Sequence, residues 1–122
     1  MRAIIDSDVL IDYLQGLEVA KRELDRYPQR EISIISWMEI LAGADNEEED
    51  KACRGFLSTC TVHALSTEIA NEAVRLRKRF RVRLADAIVW ATAQTNSCLL
   101  VTRNTRHFSA KEPGVRIPYS GT

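Results

Sequence analysis

Apolar residues along this chain fall into short runs at two spacings. Residues 3 to 6, AIID, are rich in isoleucine and end in an acid, which predicts a short buried strand. Val9 to Leu14 place apolar residues at helical spacing. EVAKRELDRY (18–27) predicts an exposed helix that Pro28 ends, and EISII (31–35) predicts a second strand. Ser36 stands three residues before Glu39, a capping-box spacing, so a helix is expected to begin there and run through WMEILAGA. DNEEED (45–50) reads as solvated surface leading into KACRGFLSTC, a helix in spite of Gly55. TVHAL (61–65) predicts a third strand, and Ser66 or Thr67 caps the helix EIANEAVRLRKRF. LADAIVWATAQT (84–95) is apolar on nearly every side and predicts a buried helix with Trp90 in the core. CLLVT (98–102) is a strong strand candidate and VRIP (115–118) a weaker last one. Strand and helix alternate throughout. The pattern predicts a three-layer α/β/α fold with a central parallel sheet of four or five strands.

Composition narrows the class. The 122 residues suit one domain, 1–122, and suffice to bury a core without disulfides or structural metal. Lysine plus arginine and aspartate plus glutamate number 17 each, so net charge argues neither for nor against nucleic acid. Three cysteines, none in a C-x-x-C pair, argue against a disulfide framework or a zinc site. Asp6 and Asp8 interrupt the first apolar run before a signal peptide could form, and no segment has the length of a membrane span. A cytoplasmic protein is expected.

The chemistry lies in the acids. In an open parallel sheet, ligands bind beyond the carboxyl ends of the strands. Asp6 ends the first strand and Asn104 lies two residues past Thr102. Glu39 and Asp86 are expected in the first turns of their helices. With the first strand central, these four meet at one edge. Each has a plain alternative. Glu39 caps its helix in one reading, and Asp86 complements a helix dipole, worth about 0.3–1 kcal/mol. Asp8 caps the following helix, and Asp12 reads as solvated on its outer face. Asp6 resists such a reading, because a carboxylate ending a buried strand is costly unless paired, hydrogen-bonded or metal-bound. Crowded carboxylates repel, and a hard divalent ion relieves that repulsion through oxygen ligands. Neither His63 nor His107 adjoins a nucleophile motif.

Four segments, IIDSDVLIDYL, SIISWMEILAGA, RLADAIVWATAQ and LLVTRNTRHF, resemble the PIN-domain family in this order and spacing. Within it, the likeness is to the VapC-type toxins of bacterial toxin–antitoxin pairs, over essentially the whole chain. The resemblance implies a small Mg2+- or Mn2+-dependent ribonuclease, often a homodimer, silenced by a cognate antitoxin. It puts the family's acids on Asp6, Glu39 and Asp86 and its fourth site position on Asn104. Two departures stand out. Asp8 stands where relatives carry asparagine, and Asn104 and His107 stand where many carry acids. The number of metals is left open, and Asp8 is expected to restore part of the missing charge as an additional metal contact.

RLRKRFRVR (75–83) holds six basic residues in nine. Arg75, Lys78 and Arg79 read as a solvated helix end. Arg81 and Arg83 precede Asp86, and Arg103 and Arg106 flank Asn104, so these four either bind RNA phosphates or meet the carboxylates of an antitoxin. Trp37, Met38 and Leu41 are expected in the core, with a dimer or antitoxin groove as the alternative. The expected function is a metal-dependent endoribonuclease toxin acting on single-stranded or loop RNA. Other readings are a PIN domain that binds without cutting, a phospho-receiver domain, and an aspartate-nucleophile phosphatase. The receiver lacks its acceptor aspartate after TVHAL and its lysine after CLLVT, where Arg103 and Asn104 stand. The phosphatase needs a later lysine and a cap domain, for which the chain is short.

Overall fold

A computed structural model describes residues 1–120. Five strands, β1 (Ala3–Ile5), β2 (Glu31–Ser33), β3 (Thr61–His63), β4 (Leu99–Val101) and β5 (Val115–Arg116), form one sheet. Six helices connect them: α1 (Ser7–Leu14), α2 (Glu18–Leu24), α3 (Ile34–Ala42), α4 (Glu47–Leu57), α5 (Thr67–Phe80) and α6 (Leu84–Thr95). Every strand pair is parallel, in the order β3-β2-β1-β4-β5. β1 is therefore central, with Ile4 beside Glu31 on one side and Leu100 on the other. This order differs from the 2-1-3-4-5 arrangement of receiver-type folds, and β3 ends in His63 rather than an acid. Both findings remove the phospho-receiver reading.

Alternation along β1 divides the core between two faces. Ile4 joins Leu76, Trp90 and Leu100 beneath α5 and α6. Ala3 and Ile5 join Val9, Leu10, Ile32 and Ile40 beneath α1 to α4. Successive strand side chains point to opposite faces, and both faces are covered by helices, so the strands read as unbroken apolar runs. Trp90 is fully buried, and its indole N–H donates to the Pro113 carbonyl at 3.2 Å. Among the described residues no helix is long and apolar enough to cross a membrane.

Several local expectations change. The second strand stops at Ser33, and α3 begins at Ile34 with no intervening loop. Ser33 is the N-cap, its hydroxyl accepting the Ile35 N–H at 3.1 Å. Ser36 lies inside the helix, fully buried, with its Oγ unpartnered among the described residues. The expected Ser36–Glu39 capping box is thus absent, and Glu39 falls in the second turn, free of capping. The acidic run is solvated surface as expected, and most of it is helical. Asn46 caps α4 through the Glu49 N–H at 2.8 Å, and Glu47 to Asp50 form the first turn, where their charge suits the helix dipole. Trp37 and Leu41 pack against the core, but Met38 is 52% exposed, contrary to the core expectation.

Candidate active site

β1 and β4 sit where the strand order turns back, because the connections from β1 lead one way through β2 and β3 and the return reaches β4 on its other flank. A crevice at their carboxyl ends is the expected ligand position. The first residues beyond the two strands are Asp6 and Thr102, and they touch. The Asp6 N–H donates to the Val101 carbonyl at 2.9 Å, continuing the ladder by one residue. The Thr102 hydroxyl then reaches Asp6 Oδ2 at 2.9 Å.

Asp6 is 5% exposed and caps α1, its Oδ1 accepting the Ser7 N–H at 2.8 Å. Asp8 follows in the first turn. Its Oδ1 accepts the Val9 N–H at 2.7 Å, and its Oδ2 lies 3.3 Å from the same Thr102 hydroxyl. One hydroxyl proton faces two carboxylates and can satisfy only one at a time. Burial, then the charge of Asp8 and more weakly that of Asp86, push the Asp6 carboxyl up to about 7. Hydrogen bonds from Thr102 and Ser7 pull the other way. Asp8 is also raised, chiefly by burial, against the Val9 N–H and the Arg103 charge.

The remaining acids arrive from α3 and α6. Glu39 is exposed, and its Oε1 accepts the Ser7 hydroxyl at 3.0 Å. Asp86, 7% exposed in the first turn of α6, takes Arg83 Nε at 3.0 Å and Nη2 at 3.5 Å. Its Oδ2 lies 3.1 Å from His107 Nδ1. Asn104 donates its backbone N–H to Thr102 Oγ1 at 3.1 Å, and its side-chain amide meets His107 Nδ1 at 2.9 Å. Arg83 feels the charge of Asp86 first, then those of Glu39 and Asp6. The structure therefore brings Asp6, Asp8, Glu39, Asp86 and Asn104 to one edge.

Thr102, Ser7 and His107 connect this set, and two of these links had little to announce them. Thr102 is the last residue of an apolar strand in sequence, and its hydrogen bond to Asp6 spans 96 positions. The only sequence signal was a hydroxyl at the end of CLLVT. His107 stood in the sequence as a departure from the family, and the structure puts it against both Asp86 and Asn104.

The four arginines separate. Arg83 is held by Asp86. Arg103 is held by Asp12 through Nε at 2.5 Å and Nη2 at 3.2 Å, and the Tyr119 hydroxyl donates to the same carboxylate at 2.9 Å. Asp12 is buried and paired, not solvated on the outer face of α1 as expected. Arg81 and Arg106 are exposed and form no ion pair or side-chain hydrogen bond among the described residues.

The donor set is all oxygen and suits a hard divalent ion. Among the described residues, no three His, Cys, Asp or Glu side chains converge at ligand distance. Asp86 is turned to Arg83 and His107, and Glu39 to Ser7. That geometry still fits magnesium, which is commonly held by one or two carboxylates with waters and a phosphate completing the shell. Crowding of like charge around a buried Asp6 is the feature a cation relieves.

The PIN-domain family model matches residues 3–112. Ribonuclease VapC10 of Mycobacterium tuberculosis is 31% identical over 114 residues, covering 86% of this chain and 84% of its own. Ribonuclease VapC1 of Methanocaldococcus jannaschii is 26% identical over 122 residues, 95% of this chain and 86% of its own. A chain in a toxin–antitoxin complex from Klebsiella pneumoniae superposes with a TM-score of 0.90 at 41% identity, covering 97% of this chain and 98% of that one. DNA-bound VapBC from Salmonella typhimurium has a chain with a TM-score of 0.77 at 23% identity, over 95% and 96%, a likeness of fold.

Proposed function

The chain belongs to the PIN-domain family, and from that membership we propose that it is a divalent-metal-dependent endoribonuclease, the toxin of a toxin–antitoxin pair. Residues 1–122 then form a single nuclease domain acting in the cytoplasm, held in check by a cognate antitoxin and working as a homodimer. The observation that carries this reading is the edge formed by Asp6, Glu39 and Asp86, where a buried carboxyl is raised to about 7 by burial and neighbouring acids.

Asp6, Glu39 and Asp86 would hold Mg2+ or Mn2+, with Asp8 as a further contact. When bound, the ion polarises the scissile phosphate and acidifies a water for in-line attack. The chain's own residues set the stage for this. Thr102 and the Ser7 N–H fix both oxygens of Asp6. The Ser7 hydroxyl turns Glu39 toward the edge, and Arg83 sets the plane of Asp86, with His107 Nδ1 beside it. Asn104, tied to Thr102 through its backbone, presents a neutral amide that orients a water or a ligand. The substrate is single-stranded or loop RNA, whose unstacked backbone can reach an edge of this kind.

A second reading is a PIN domain that binds RNA or a protein without cutting. The neutral Asn104 and the absence of a three-acid convergence among the described residues favour it. Induced expression in a bacterial host separates the two. A cutting toxin arrests growth, with fragmented RNA, and Asp6→Ala abolishes both effects. Growth arrest that persists unchanged in Asp6→Ala, with RNA intact, favours the binding module.

A further inference from the structure

Beside the acid edge lies an open cavity of about 320 Å³ between the end of α5 and the loop after β4. Arg81 borders it from one side and Arg106 from the other, and His107, whose Nδ1 touches Asp86 and Asn104, forms the wall shared with the acid edge. One feature sets both arginines apart from Arg83 and Arg103, and a second marks Arg81. Neither is neutralised by an acid among the described residues, whereas both of the others are. Arg81 also closes α5 in the left-handed region, at φ 57° and ψ 29°. Glycine is the favoured residue at such a helix end, and a side chain there is strained. Backbone strain of this kind persists where the surrounding structure or a function holds it. Among the described residues, one acid, Glu112, also borders the cavity. It pairs with neither arginine, and its Oε2 is enclosed without a hydrogen-bond partner among the described residues.

We propose that this cavity is the subsite for an RNA phosphate flanking the scissile one, clamped between Arg81 and Arg106. The proposal rests on the ribonuclease reading and sharpens it: of four arginines near the acids, two anchor acidic side chains and two meet substrate. Two cations from separate loops with an open gap between them suit a phosphodiester, which offers two free oxygens to guanidinium donors. Such pairing fixes the position of the strand on the edge without selecting its sequence.

The test is the salt dependence of Mg2+-dependent cleavage of a short single-stranded RNA by the wild type, Arg81→Gly and Arg106→Ala. Arg22→Ala, on the exposed side of α2, serves as control. Removing one guanidinium–phosphate pair should lower the slope of log(kcat/KM) against log[salt] by about 0.7 and raise KM by about tenfold. Arg81→Gly should meanwhile hold or raise the melting temperature, because glycine relieves the left-handed strain. Slopes and KM values equal to wild type in both variants overturn the proposal. So does a drop in thermal stability in Arg81→Gly, which would make the arginine a fold residue. Unchanged RNA kinetics with loss of antitoxin binding overturn it in favour of a protein interface. Absence of any cleavage by the wild type instead removes the ribonuclease reading, and the subsite with it.

Discussion

Asp6 is where fold and chemistry conflict. The folded chain holds its proton up to about pH 7, whereas an unfolded aspartate loses it near about 3.9. Between those values the folded state binds more protons at this group, so the contribution of Asp6 to the stability of the metal-free protein falls as pH rises. Asp6→Asn removes that cost while keeping an oxygen for the Ser7 or Thr102 donor. We therefore expect the metal-free Asp6→Asn variant to melt higher than wild type at pH 7.5, with the gap closing toward pH 4. Magnesium should reverse the order. A ligand at ten times its Kd stabilises the folded state by about 1.4 kcal/mol, an increment that Asp6→Asn should largely lose. Thermal melts across pH, with and without Mg2+, read both effects. A gap between the metal-free wild type and Asp6→Asn that stays constant from pH 4 to 7.5 would contradict a raised Asp6 carboxyl.

At the level of single elements, α3 is the informative case. Its start was misread because two signals competed. Ser36 and Glu39 had the spacing of a capping box, while Ser33 sat where an extended strand was still expected. The structure resolves this by running β2 directly into α3 and capping with Ser33. Ser33→Ala should cost about 1 kcal/mol, the usual loss for an N-cap. Ser36→Ala should be neutral or stabilising, since it removes a buried hydroxyl with no partner. Denaturant unfolding of the two variants decides, and a larger loss at Ser36 would restore the capping box. The shift also matters for function. It frees Glu39 from capping and sends it to the Ser7 hydroxyl at the acid edge. Elsewhere periodicity served well. The five strands lie within the short apolar runs marked as strands in the sequence, and the nearly all-apolar 84–95 segment is a buried helix. Where one serine-rich junction serves as both strand end and helix cap, pattern alone has no means of choosing.

Across the whole molecule, what the sequence left hidden is what lies far apart in the chain. The residues of the candidate site were individually legible, because Asp6, Glu39 and Asp86 each head or interrupt an apolar segment. Their links were not. Thr102 to Asp6 spans 96 positions, and Arg103 to Asp12 spans 91. The latter pair, joined by Tyr119, draws the loop after β4 and the segment after β5 onto α1. It takes Arg103 out of the set of free cations that sequence had grouped together, and Asp86 takes Arg83. The sheet order does the rest, putting the ends of β1 and β4 side by side and making one edge from four segments, three of which bring acids. Whether this edge cuts RNA through a bound divalent ion is decided most directly with purified protein and a short single-stranded RNA. We expect cleavage with Mg2+ that EDTA stops and that Asp86→Asn reduces by at least about 100-fold, in line with the several kcal/mol a catalytic metal supplies. Cleavage that continues in EDTA, or at the wild-type rate in Asp86→Asn, would contradict a metal-dependent nuclease at this edge.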